Sequence, residues 1–394
     1  MTTGLATSRP DPFALSEEER TVRDTAREFA QRELAPTVAQ RDEEERYDRI
    51  LFTRMGELGL TAIPYPEEYG GAGLAYFAWV LACEEIAAAD MGMAISLSVH
   101  VLSQLCIATH GTDEQKESLL PAMTAGRHLG AFALTEPGAG SDAASLGLAA
   151  RRTDDGYALT GTKVWITNAG EADLYVVFAT VDRSRGRDGI TAFVVPRDTP
   201  GFSVGSHERK MGIRDSPAAE LVFDEARVPE ANRLGAEGEG LTVALGSLAS
   251  GRISIAAACT GLARAALEHA TRYATQRTQF GRPIAEQQMI QAILADAAVA
   301  VEASRLLTWR AARLRDAGAP INVASSMAKM FASDTAMRVA TDAVQVYGGA
   351  GYSRDNPVER FMRDAKGAQI YEGTNQVQRL IIAQQLIEDV GRGG

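Results

Sequence analysis

Two periods alternate along the chain, helical first, then extended, then helical again. Val22, Ala26, Phe29 and Leu34 recur at near-helical spacing after Ser16-Glu17-Glu18-Glu19. A Ser followed by acidic residues predicts an N-cap and a first turn matched to the helix dipole. Proline and glycine in Ile63-Pro64-Tyr65-Pro66 and Tyr69-Gly70-Gly71 interrupt the pattern, and an apolar stretch from Tyr76 to Ile107 resumes it. From 129 to 236 the period becomes two. Tyr157 to Thr167, Leu174 to Phe178 and Ile190 to Val195 are β-branched, alternating segments, divided by Asp154-Asp155-Gly156 and Arg187-Asp188-Gly189 turns. From 237 to 394 the helical period returns, with helices expected over 241–275, 286–315 and 323–348 and a break at Asp316 to Pro320. The expected fold is mainly α with a central antiparallel β domain, in three units: 1–128, 129–236 and 237–394.

Composition narrows the classes of function. The 394 residues are 45% hydrophobic and 23% charged, which suits a globular enzyme-sized core. A net charge of -11 disfavours non-specific binding to nucleic acid or anionic lipid. Cys83, Cys106 and Cys259 are far apart, with neither disulfide nor zinc spacing. The N-terminus lacks an apolar core with a cleavage site. No run reads as the roughly 18 apolar residues that a membrane span needs. The expectation is a cytoplasmic protein with no bound metal.

Five segments carry candidate chemistry. In Phe132-Ala133-Leu134-Thr135-Glu136-Pro137-Gly138-Ala139-Gly140-Ser141-Asp142 a strand enters a glycine-containing loop whose N–H groups can face an anion. It is not G-x-G-x-x-G, and no βαβ unit surrounds it, so a Rossmann site is not supported. Trp165-Ile166-Thr167-Asn168 reads on its own as a strand whose Trp packs in a core. Arg277-Thr278-Gln279-Phe280-Gly281 and Gln345-Val346-Tyr347-Gly348-Gly349 read as a surface cation near a helix end and a helix stop. In Gln369-Ile370-Tyr371-Glu372-Gly373-Thr374-Asn375 an acid precedes a helix that Thr374 would cap.

Each segment alone has an ordinary structural reading. Together, in this order, they resemble the acyl-CoA dehydrogenase family over nearly the whole chain, closest in pattern to its short-chain and short branched-chain members. The Thr-Glu-Pro-Gly-Ala-Gly-Ser-Asp and Ile-Tyr-Glu-Gly-Thr runs are the specific signatures, supported by Val358 to Lys366. The resemblance implies an N-terminal helical domain, a middle antiparallel β domain and a C-terminal four-helix bundle. It also implies FAD-dependent oxidation of an acyl-CoA to the trans-2-enoyl-CoA.

Under that resemblance Glu372 is the base that removes the α-proton, while the β-hydrogen leaves as hydride to flavin N5. The Glu372 N–H and a ribityl hydroxyl would hold the thioester oxygen, because a weak carbon acid needs preorganised donors at its developing enolate. Phe132, Leu134, Thr135, Gly140, Ser141, Trp165, Ile166, Thr167, Thr374 and Gln376 are the implied FAD residues. Arg277, Phe280, Gln288, Gln345, Gly348 and Gly349 are expected to reach FAD in a neighbouring subunit. Ser141, Arg252, Tyr371 and Gly373 are expected at the substrate. Some relatives, isovaleryl-CoA dehydrogenase among them, carry the base at the position of Gly251, which has no side chain here. Ala249 stands where many short-chain relatives have Asp. The acyl pocket is expected between a Glu84–Ser98 helix and the helix starting near Leu241. A homotetramer and an electron-transfer flavoprotein as electron acceptor complete the expectation. The rival readings are an oxygen-using oxidase or monooxygenase of the same family and a non-catalytic helical binding protein.

Overall fold

The computed structural model describes residues 13–392. Its first region holds α1 (Glu17–Phe29), α2 (Val38–Glu44), α3 (Arg49–Glu57), α4 (Tyr76–Ala89), α5 (Met91–His110) and α6 (Asp113–Thr124). Ser16 caps α1 as expected. Its side chain accepts the Glu19 N–H, and the Glu19 carboxylate accepts the Ser16 N–H in return. Leu34 lies one wide turn further on, because Ala30–Leu34 is π-helical.

The apolar stretch beginning at Tyr76 is two helices and not one. Asp90 is extended, with φ -154° and ψ 99°, and its Oδ1 accepts the Met93 N–H at 2.9 Å to start α5. The Glu84–Ser98 helix expected from the sequence is therefore broken in its middle. The start of α4 is capped from far along the chain: Asp316 accepts the N–H groups of Tyr76 and Phe77 at 2.8 and 3.0 Å. Two helices, Met91–His110 and Gly240–Gln276, are long and apolar enough to cross a membrane, which corrects the sequence expectation. Both lie inside the protein, with 89% and 78% of their most apolar windows buried.

The middle region has eight strands: β1 (Gly130–Ala133), β2 (Ala149–Arg152), β3 (Gly156–Thr167), β4 (Leu174–Thr180), β5 (Ile190–Pro196), β6 (Phe202–His207), β7 (Ala218–Pro229) and β8 (Arg233–Leu234). Their order is β6-β7-β3-β2-β4-β5-β8, with β1 also on β4. The sheet is mostly antiparallel as expected, and mixed through the parallel partners of β4. β4 returns from β3 and lies beside β2, so it runs parallel to β2 and to β1. Every residue of β4 is buried. Tyr175 and Val177 face one apolar cluster, while Val176 and Phe178 face another under α5, α6 and the next helix.

The last region holds α7 (Gly240–Gln276), the short hairpin β9 (Thr278–Gln279) and β10 (Arg282–Pro283), α8 (Gln288–Asp316), α9 (Asn322–Tyr347), α10 (Val358–Ala368) and α11 (Asn375–Arg392). Alanine at 324, 328, 332, 336 and 340 gives α9 a buried face thin enough for close approach to α7. Thr374 caps α11 as expected, its Oγ1 accepting the Val377 N–H at 3.3 Å.

A buried guanidinium ties these regions together. Arg41 of α2, 0% exposed, donates to Asp90 Oδ2 and Asp215 Oδ2, each at 2.5 Å, and to the Leu34 carbonyl. Burial and the neighbouring Asp90 push the Asp215 carboxyl well above its ordinary range. Gly92 gives Asp215 its room, since a Cβ there would strike the carboxylate. Arg41→Leu should leave two facing carboxylates without a cation and cost roughly 3–5 kcal/mol. A carboxyl whose folded pKa is raised loses stability as pH rises. The fall in thermal midpoint should therefore be larger at pH 8 than at pH 5.

Candidate active site

The first cluster forms where β1 runs into its loop. Glu136, inside the Thr-Glu-Pro-Gly run, faces its own chain. Its carboxylate accepts the Gly147 and Leu148 N–H groups at 2.6 and 2.9 Å and pairs with Lys163 Nζ at 2.7 Å. Lys163 is 0% exposed and also donates to the Leu134 carbonyl at 2.9 Å. Burial pulls its pKa down to about 8, with Glu136 acting in the opposite direction. These bonds close the base of the loop, so its tip is presented outward. A Cβ on Gly138 or Gly140 would meet nothing of the chain within 4 Å, and Ser141 is exposed.

β3 is joined to this loop by the Val164 N–H donating to the Thr135 carbonyl at 3.0 Å. Its register on β7 shifts between Lys163 and Ile166. The bulge turns Trp165 into a left-handed conformation, φ 59°, and leaves the indole 58% exposed beside the loop. Ile166 goes the other way, into the core, and can offer a ligand only its backbone. Asn168, also left-handed at φ 70°, fastens the strand end to α5 and β1 by donating to the Ser96 and Gly130 carbonyls. An exposed indole, an open glycine loop and Phe132 against Phe178 at 4.9 Å fit a flat aromatic cofactor with an anionic tail.

The second cluster surrounds Glu372. Glu372 and Gly373 are consecutive left-handed residues, φ 53° and 87°, a costly conformation for the glutamate. The turn carries the carboxylate across α7 at Gly251, where a Cβ would lie 2.6 Å from Glu372 Oε2. Oε2 is shut off from solvent and has no hydrogen-bond partner. Burial pushes the carboxyl up to about 7, against the opposing pull of Arg252 and then Lys329. Arg252 is no direct ion-pair partner: its Nη1 donates to Asn322 Oδ1 at 3.1 Å, and its Nε is buried and unpaired. Tyr371 OH is another buried, unpartnered group.

The β6–β7 connection joins the clusters. The Asn168 N–H donates to the Pro217 carbonyl at its far end. Ile213 lies beside Gly367 with the Tyr371 ring, and its N–H donates to Asp364 at 2.5 Å. The remaining expected residues sit elsewhere. Arg277, Phe280, Gln288, Gln345, Gly348 and Gly349 are all exposed, with Phe280 at 94%. The stacked Tyr273 and Tyr347 rings, 4.0 Å apart, bring the ends of α7 and α9 together there. Among the described residues none of these six hydrogen-bonds to either cluster. Gln376 is exposed at the start of α11.

Sequence reasoning missed Glu136 and Lys163 as loop anchors, and Lys329, Asn375 and Gln378 as supports of the Glu372 turn. A lysine within the alanine-rich face of α9 was the available signal.

An exposed indole and glycine loop, with a desolvated carboxylate one connection away, define a flavin-dependent dehydrogenase built helix–sheet–helix. The chain belongs to the acyl-CoA dehydrogenase family, matching its N-terminal domain over 16–127, its middle domain over 131–226 and its C-terminal domain over 238–387. It is an enzyme of this type, and its cofactor is FAD. An acyl-CoA dehydrogenase of Bacillus subtilis is 49% identical over 95% of this chain and 99% of its own. The butyryl-CoA dehydrogenase structure from Megasphaera elsdenii superposes with TM-score 0.94 at 45% identity, covering 96% and 100% of the two chains. A chain in the structure of the electron transferring flavoprotein of Acidaminococcus fermentans also gives TM-score 0.94, at 47% identity over 95% and 99%.

The Gly251 contact yields a test. Gly251→Ala in mid-helix should hold or raise the thermal midpoint, since alanine favours a helix by about 1 kcal/mol over glycine. It should nonetheless slow flavin reduction about tenfold or more, because the new methyl displaces the Glu372 carboxylate. Stopped-flow bleaching beside a melting curve separates the two effects.

Proposed function

We propose that the protein oxidises a short acyl-CoA thioester between its α and β carbons, with Glu372 as the base. The observation that carries this is the Glu372 carboxylate. It is solvent-excluded at Oε2, unpartnered, and held on a left-handed turn against a side-chain-free helix position. A base with pKa near the working pH accepts an α-proton efficiently. The Glu372 N–H is left to donate to the thioester oxygen, and Arg252, Tyr371, Gly373 and Ser141 are the proposed substrate contacts.

Phe132, Leu134, Thr135, Gly140, Ser141, Trp165, the backbone of Ile166, Thr167, Thr374 and Gln376 would hold FAD. Bound FAD supplies the two-electron acceptor for the β-hydrogen. Arg277, Phe280, Gln288, Gln345, Gly348 and Gly349 would serve the FAD of a neighbouring copy, which supports a homotetramer. The flavoprotein context of the Acidaminococcus neighbour supports an electron-transfer flavoprotein as acceptor. Three free, buried cysteines fit a reducing compartment, and we place the enzyme in the cytoplasm, in fatty acid metabolism.

Short acyl chains are favoured by what lies beyond Gly251. Tyr76 OH and Trp79 Nε1 of α4 both bond Ser254 Oγ of α7, at 2.7 and 2.8 Å, and Cys83 Sγ lies 3.7 Å from Ser98 Oγ of α5. This buried, hydrogen-bonded wall one helical turn from Gly251 resists displacement by methylenes worth only about 0.8 kcal/mol each. Butyryl-CoA should bleach the flavin with the highest kcat/KM in a straight-chain series, and palmitoyl-CoA with the lowest. A maximum at C12 or longer rejects the short pocket.

Glu372→Gln should keep FAD and bind acyl-CoA yet lose about 10²–10⁴-fold in flavin reduction. Near-normal bleaching would place the base elsewhere. In the unsubstituted enzyme only ionised Glu372 is active, so kcat/KM should rise with pH and half-saturate near 7. At pH 5 about a hundredth of the carboxyl remains ionised.

A further inference from the structure

Among the described residues, Lys329 is the buried cation that hydrogen-bonds the turn bearing Glu372. It lies in the first third of α9, is 0% exposed, and donates to the Gly373 carbonyl at 2.9 Å and to Asn375 Oδ1 at 3.0 Å. A buried ammonium costs stability unless its protons are used, so its place in an alanine-rich face needs a reason. Gln378 grips the same turn from α11, its Nε2 donating to the carbonyls of Glu372 at 3.3 Å and Gly373 at 3.0 Å. Asn375 Nδ2 in turn donates to Asp334 Oδ1 at 2.7 Å and Ser333 Oγ at 2.9 Å, which anchors it to α9.

We propose that Lys329 is a positioning residue for the α-proton abstraction, clamping the left-handed Glu372–Gly373 turn and setting the charge beside the base. The inference rests on Glu372 being that base. The Gly373 carbonyl accepts from both Lys329 and Gln378, so the peptide following Gly373 cannot swing, while Gln378 alone also holds the Glu372 carbonyl. The carboxylate is thereby held over Gly251, and its own N–H keeps one direction. Without the clamp a glycine at φ 87° and a strained glutamate can relax toward commoner backbone conformations.

Charge is the second part of the role. The groups facing Glu372 are Arg252 of α7, Lys329 of α9, Tyr76 and Cys83 of α4, and Tyr371 next to it. Those facing Lys329 are Cys259 and Arg252 of α7, Asp334 of its own helix, and Glu372. Among the described residues Arg252 and Lys329 are the groups that favour the Glu372 anion, so removal of Lys329 should raise the pKa of the base. Burial holds Lys329 down at about 8, and it still carries its proton at the pH where Glu372 ionises.

The test is Lys329→Met, compared with Glu372→Gln and Gln378→Leu in FAD-loaded enzyme. Lys329→Met should retain FAD and keep KM for butyryl-CoA within about threefold, while kcat falls about tenfold or more. The rising limb of its pH profile should move above the original by at least half a unit. Infrared difference titration against Glu372→Gln should show the same upward move in the carboxyl band, independent of turnover. Gln378→Leu, which removes a neutral donor, should lower kcat without that pH shift. Unchanged kcat and unchanged pH profile in Lys329→Met overturn the proposal, whereas an active Glu372→Gln overturns the base assignment itself. If Lys329→Met does not fold, Lys329→Gln replaces it, with the same expected shift and the same overturning result.

Discussion

The ion pairs of Arg41 join stretches that lie up to 174 residues apart, and the geometry of the site depends on them. Asp90 starts α5, and Asp215 sits in the connection that leads to Ile213. From Ile213 the contacts pass to Asp364, Gly367 and Tyr371, and so to the turn of Glu372. A helical region, a sheet and a helical bundle could pack in many relative positions at similar apolar burial. A charged group with two fixed acceptors accepts one arrangement, which directional bonds specify and hydrophobic contact does not.

The Glu372 carboxylate, the proposed base, is set apart in two ways, each at a cost. Desolvation raises its proton affinity, and a left-handed backbone holds it where side-chain freedom alone would not. Both costs are met by groups that never face the substrate. Lys163 and Glu136 do for the glycine loop what Lys329 and Gln378 do for the turn. In each case a buried amine takes carbonyl oxygens that would otherwise lose their hydrogen bonds on leaving water.

The helices were legible because their apolar spacing, capping residues and breakers are local signals. Ser16 with Glu19 and Thr374 with Val377 formed as read. The break at Asp90 escaped because it sits between two apolar runs, and the arginine that holds its carboxylate lies 49 residues earlier. The parallel partners of β4 escaped because strand order is a tertiary choice that alternation does not encode. Glu372 and the glycine loop were found as motifs. That Glu136 points inward and Trp165 outward was not readable, since a bulge in β3 decides it. Lys329 was passed over because a lone lysine in a helix reads as a solvent contact until its neighbours are known.

Gly251 and Glu372 cannot both bear carboxylates, because there is space for one acid between α7 and the turn. With Glu372 as the proposed base, a side chain at 251 and the carboxylate of 372 compete for a single volume. Moving the base from one to the other requires a glycine to gain a side chain while a glutamate loses one. Either change made first leaves an enzyme that is crowded or without a base. On the proposed assignment positions 251 and 372 are therefore coupled, and neither can be exchanged without regard to the other.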